Sequence, residues 1–173
     1  LFGWLFPDVP DRVQRESQVS ELTDFVKGRT KEKNITVVAG DFNIEAGTEE
    51  YRSTIGEMME ELELYDGWLR HGSGAGPTNA PALTAGCDID ESAGLPYRCG
   101  GEDRGKGDRI DYVFVEEPKP AHTFELDVSG MERATFWRGK ENQERLYADD
   151  SQQVPNYMSD HMALELHFDA VPK

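Results

Sequence analysis

The residues of this sequence best suited to chemistry are Asp41 with Asn43, Asp111, and Asp160 with His161. Asp41 and Asn43 close the run Asn34-Ile-Thr-Val-Val-Ala-Gly-Asp-Phe-Asn43, which reads as a buried strand. On an extended backbone, residues two apart point the same way, so a carboxylate and an amide stand side by side while Phe42 turns back into the core. Strand mouths of this kind are where open α/β sheets hold ligands. An alternative reading is that both groups only bond the loop backbone after the strand. Asp111 lies inside Arg109-Ile-Asp-Tyr-Val-Phe-Val115, a run otherwise apolar on both faces. A carboxylate buried there is costly unless paired, so it needs a partner. Asp160 and His161 stand at the mouth of the last strand. The common use of these groups is phosphoryl chemistry. Hard oxygen ligands suit Mg²⁺ or Mn²⁺, an amide can donate to a phosphate oxygen, and His titrates near neutral pH. Asp111 can fix the tautomer of His161 and stabilise its imidazolium. His71, His122 and His167 lack such company; His167 reads as an exposed strand residue and His71 stays open.

The elements that must position these groups follow from apolar periodicity. Asp8 and Asp11 around Pro10 predict the start of a helix running to about Lys27 and ended by Gly28, with Val19, Leu22, Phe25 and Val26 on its apolar face. After the strand at 35–40, Gly47-Thr48 opens a second helix. Its Tyr51, Ile55, Met58, Met59 and Leu62 recur at three and four, which is a face against a sheet. A short strand is expected at 64–69, further strands at 109–115 and 123–128, and a half-buried strand carrying Met162, Leu164, Leu166 and Phe168. Residues 129–150 are polar and poorly patterned. Helix, strand, helix in this order argues for an α/β layered domain.

At 173 residues with 37% hydrophobic content, the chain has material for one substantial core. Thirty-four acidic against 18 basic residues leave a net charge of −16, which repels polyanions and makes nucleic acid the less favoured partner. Arg104, Lys106 and Arg109 form a small basic patch able to hold a phosphate, but not a duplex footprint. No uncharged apolar stretch is long enough to span a bilayer. Residues 72–107 are rich in Gly, Pro, Ala, Asp and Ser and contain the two cysteines, Cys87 and Cys99. A disulfide between them is expected to pin this loop, and with it a secreted or extracytoplasmic location. The opening Leu1-Phe-Gly-Trp-Leu-Phe-Pro7 lacks a starting Met and reads as the middle of a longer protein; its aromatic cluster reads first as core, with a membrane-touching loop or a surface stripped of a missing partner as alternatives.

Taken in order, Gly40-Asp41-Phe42-Asn43, Arg109-Ile110-Asp111-Tyr112 and Ser159-Asp160-His161 closely resemble the endonuclease/exonuclease/phosphatase superfamily. Its members are metal-dependent phosphodiesterases and phosphomonoesterases on a four-layer α/β/β/α sandwich. The resemblance implies that Asp41 positions the attacking water or a metal ion, that Asn43 holds the scissile phosphate, and that Asp111 orients the catalytic His161. Asp160 would be the carboxylate at the metal and water site. It covers nearly the whole chain but only the second half of the family fold. The upstream asparagine, the principal Mg²⁺-binding glutamate and a further histidine have no counterpart here. The expectation is therefore a single domain over 1–173, the C-terminal part of a larger one, forming half of the sandwich with a mixed β-sheet. Its partner would be the missing N-terminal half, and the isolated piece would be inactive.

Ile35 to Ala46, the helix from Thr48, the Gly76-Pro77-Thr78 turn and the long segment before Tyr157 look most like the bacterial neutral sphingomyelinase branch. The Arg-Ile-Asp-Tyr motif keeps nucleases as an alternative. Lys106-Gly107-Asp108-Arg109 departs from the pattern of inositol-polyphosphate phosphatases. A lipid or small phosphodiester is the expected substrate, with possible membrane-surface contact through Trp4, Phe6, Trp68, Trp137 or Tyr157, of which Phe6 and Trp68 read as core. A non-catalytic binding module of the same fold is a further alternative, which the retained Asp111 and His161 disfavour.

Overall fold

The computed structural model describes residues 10–74, 76–79, 108–134 and 161–173. Helix α1 spans Asp11–Arg29, with Asp11 in its first turn and Lys27 and Arg29 in its last, both favourable to the helix dipole. It runs through Gly28 and stops at Thr30, whose hydroxyl donates to the Val26 carbonyl at 2.8 Å. The buried stripe is Val19, Thr23 and Val26 rather than one including Phe25, which is 60% exposed beneath the Arg29 guanidinium. Thr23 can be buried because its hydroxyl donates to the Val19 carbonyl at 2.8 Å.

Strand β1 (Val37–Asp41) is followed by a π-helical turn at Tyr51–Ile55 that runs into α2 (Gly56–Leu62). Next come β2 (Leu64–Asp66) and the short helix α3 (Gly67–His71), where a strand alone was expected over 64–69. Asp66 starts α3 by accepting from the amides of Trp68 and Leu69 at 2.9 and 3.2 Å. β3 (Asp111–Glu116) lies between β1 and β2, antiparallel to both.

β4 (Phe124–Ala134) and β5 (Ala163–Pro172) form a second, antiparallel sheet. β4 continues well past the expected Val128 because its partner is supplied by the distant last strand. Ser129, the first residue of the poorly patterned segment, is absorbed in a register shift between Val128 and Gly130.

The central position of β3 explains why its sequence is apolar on both faces. Tyr112 and Phe114 join Val19, Val26, Ile44, Ile55 and Met58 under the helices, while Val113 and Val115 join Trp68 and Met131 against the second sheet. The layers thus run α/β/β, half of an α/β/β/α sandwich, with every described strand pairing antiparallel rather than mixed. Phe42 packs edge-on to Tyr112 and Phe114, with centroids 5.8 and 5.4 Å apart, so the residue between Asp41 and Asn43 anchors in the core as expected. At the far end of β3, buried Glu116 accepts from the Thr36 amide at 2.8 Å and pairs with Lys119 at 2.6 Å.

One expectation is corrected. Cys87 and Cys99 lie outside the described residues, and among the described residues no disulfide is present, so the inference of a secreted or extracytoplasmic location loses its basis. Among the described residues, no helix is long and apolar enough to cross a membrane.

Candidate active site

The pairing of β1 with β3 sets Asp41, the last residue of one strand, directly opposite Asp111, the first residue of the other. Like charges in cross-strand register repel, so this arrangement favours a compensating cation. His161 approaches the same pair, with Nδ1 2.9 Å from the Asp111 carboxylate oxygen Oδ2. The pair is only partly buried, with side chains 31% and 20% exposed, so it opens to solvent on one side. One ligand atom from each of Asp41, Asp111 and His161 falls within 4.8 Å of the others. Two carboxylates and an imidazole so placed could hold a divalent ion, and the donor chemistry fits such an ion.

Loop residues fix these groups from behind. The Asn43 amide donates to Asp41 Oδ1 at 2.8 Å, and its side-chain Nδ2 to Asp41 Oδ2 at 3.1 Å. Asn43 takes a left-handed backbone, with φ at 52°, which asparagine tolerates better than most residues. Asp41 therefore does bond the loop backbone, and the same bonds orient its carboxylate. Amides of Phe42 and Ala46 donate to the carbonyls of Ile110 and Arg109, both at 3.0 Å, tying this loop to the start of β3. The Tyr112 hydroxyl lies 2.6 Å from the Ile44 carbonyl oxygen and 2.7 Å from that of Arg109. Burial raises its pKa, so it stays a neutral donor.

On the His161 side, an isolated bridge pairs Asn79 with His161, and the Met162 amide donates to the Thr78 carbonyl at 2.7 Å. The fully buried Thr78 hydroxyl accepts from the amides of Ile110 and Asp111 at 3.1 and 3.0 Å.

Arg109 does not join the site as a phosphate ligand. Its side chain is 3% exposed and paired with Asp66 at 2.7 Å, beneath the Tyr112 ring. Tyr51 donates its hydroxyl to the same Asp66 oxygen at 2.8 Å, and burial followed by that negative charge raises its pKa. This cluster secures β3 immediately before Asp111. The structure thus brings together Asp41, Asn43, Asp111 and His161 and removes Arg109. Asp160, Arg104, Lys106, Trp4, Phe6, Trp137 and Tyr157 lie outside the described residues. Trp68 is core, as expected. His167 is half exposed, whereas His71 ends α3 with its Nε2 buried and its pKa lowered by burial. His122 has company the sequence did not reveal, lying 3.8 Å from Glu116.

Sequence reasoning also missed Thr78 and Asp66. The signal for Asp66 was a helix cap, Asp followed by Gly-Trp-Leu; for Thr78 there was only a turn.

No family model and no curated protein matches the chain. Among solved structures it is similar to one titled "Crystal structure of beta toxin 275-280 from Staphylococcus aureus", at 23% identity and TM-score 0.50, over 94% of this chain and 46% of that one. It is also similar to D. rerio TDP2 complexed with single strand DNA product, at 16% identity and TM-score 0.57, over 92% of this chain and 51% of that one. The chain spans about half the length of the structures it matches.

Proposed function

We propose that this chain, whose fold is that of the endonuclease/exonuclease/phosphatase superfamily, carries half of the active site of a divalent-metal-dependent phosphodiesterase. The observation that carries the reading is the Asp111–His161 contact at 2.9 Å beside a cross-strand second carboxylate, Asp41. The reading concerns the whole protein, in which the other half of the sandwich completes the site.

In this reading Asp111 accepts the Nδ1 proton of His161, which leaves Nε2 to exchange a proton with the reacting oxygen. The carboxylate also stabilises the imidazolium formed in that exchange. Asp41 orients the attacking water. Asn43 directs one N–H of its amide at Asp41, leaving the second for an oxygen of the scissile phosphate. Asp41 and Asp160, with Asp111 and His161 adjacent, are the groups that would hold Mg²⁺ or Mn²⁺, which neutralises charge developing on the phosphate.

The substrate we favour is a sphingomyelinase-like lipid or a small phosphodiester. A net charge of −16 opposes a polyanion, and Arg109, one of three basic residues in the expected patch, is already neutralised by Asp66. The second reading is a nuclease-type phosphodiesterase, favoured by the likeness to a structure holding a DNA product. A side-by-side assay of the whole protein with Mg²⁺ on sphingomyelin, an aryl phosphodiester, an inositol phosphate and plasmid DNA tests the order. Faster cleavage of DNA than of any lipid, with a rate falling steeply as salt rises, would make the second reading the leading one.

A further inference from the structure

We infer that Thr78 is a positioning residue for the Asp111–His161 pair, a role that rests on the phosphodiesterase reading. Asp111 and His161 are 50 residues apart, one opening β3 and the other lying just before β5 of the other sheet, so their 2.9 Å contact depends on whatever locks β3 to the segment leading into β5. Thr78 is that lock. Its hydroxyl accepts from the backbone amides of Ile110 and Asp111, at 3.1 and 3.0 Å. Its carbonyl accepts from the amide of Met162, the residue after His161, at 2.7 Å, and its own amide donates to the Asp108 carbonyl at 2.9 Å. One residue therefore holds the backbone of the acceptor carboxylate with its side chain and the backbone beside the histidine with its main chain.

The chemistry of the position is specific. Ile110 is buried and Asp111 partly so, and a buried amide must find an acceptor. Thr78 is fully buried, so no solvent can replace its oxygen without a rearrangement. A valine has nearly the same shape but no acceptor, leaving two amides unsatisfied at the point where a shift of a few tenths of an ångström would lengthen the Asp111–His161 bond. A serine keeps the acceptor and loses only a methyl group.

The test has one readout that needs no turnover and one that does. In the whole protein, the imidazole Nδ1 proton of His161 is followed by NMR at low temperature. It should be lost or shifted upfield in Thr78→Val and retained in Thr78→Ser. With an aryl phosphodiester and Mg²⁺, Thr78→Val should lower kcat at least about tenfold with KM within about twofold, and Thr78→Ser should restore kcat to within about threefold. The kcat loss should also vanish in an Asp111→Asn background, where there is no carboxylate left to position. An unchanged Nδ1 resonance in Thr78→Val overturns the assignment. So does an equal, additive loss of kcat with Asp111 already replaced. If the wild-type protein cleaves no phosphodiester at all, the functional reading fails, and the imidazole resonance still decides what Thr78 does.

Discussion

Asp41 and Asp111 face each other directly across β1 and β3, two carboxylates in one cross-strand register. Opposed like charges cost the fold about 0.2–1 kcal/mol in the absence of a cation, and a bound divalent ion converts the same pair into an asset. Replacing Asp41 with Asn should therefore raise the melting temperature of the metal-free protein slightly and abolish most of the rise that Mg²⁺ gives the wild type. Thermal unfolding with EDTA and with excess Mg²⁺ checks both halves. An equal Mg²⁺ response in wild type and variant would show that the ion, if it binds, does so elsewhere.

Arg109 and Asp66 form a buried ion pair, with side chains 3% and 2% exposed. Removing one partner leaves an uncompensated charge in the interior, so Asp66→Asn should cost about 3–5 kcal/mol. Replacing both with apolar residues of similar volume should cost clearly less than the single change. Denaturant midpoints of the two variants provide the comparison, and a single variant as stable as wild type would dismiss the pair as a stabilising feature.

Glu116 provides a pH dependence. Burial alone would raise its pKa, but hydrogen bonds from Lys119 and Thr36 outweigh burial and hold it below the ordinary 4.5. A carboxylate depressed in the folded state stabilises it fully above the unfolded pKa and ceases to do so as pH falls through the folded value. The fold should therefore lose stability progressively below about pH 4.5. Glu116→Gln should cost about 1–3 kcal/mol at neutral pH and flatten that acid limb. A pH series of unfolding midpoints with the same slope in both proteins would rule Glu116 out as its source.

The sequence made the site's members legible more clearly than their geometry. Strand periodicity put Asp41 and Asn43 on one side of an extended backbone, and the two groups do touch. They touch because Asn43 leaves the strand for a left-handed turn that folds its amides onto Asp41, which no alternation pattern encodes. The apolar run around Asp111 announced that this carboxylate needs a partner, and His161 is that partner. Arg109 shows the limit of local reading. Beside two other cations it looked like a phosphate ligand, yet Asp66, 43 residues away and silent in the local pattern, takes its charge into the core. The length of β4 was hidden for the same reason, since the polar segment from Ser129 onward shows no strand pattern until a strand from the far end of the chain lies beside it. Local propensity is visible in sequence, whereas long-range pairing is decided by tertiary contacts that override it.

The central claim is that His161, held by Asp111, moves a proton in the metal-dependent hydrolysis of a phosphodiester. The most direct measurement is the Mg²⁺-dependent turnover of an aryl phosphodiester by the whole protein and by His161→Ala, each with and without EDTA. The account predicts turnover that EDTA abolishes and that falls by roughly 10² to 10⁴ in the variant. Hydrolysis at the wild-type rate by His161→Ala, or hydrolysis indifferent to EDTA, would contradict it.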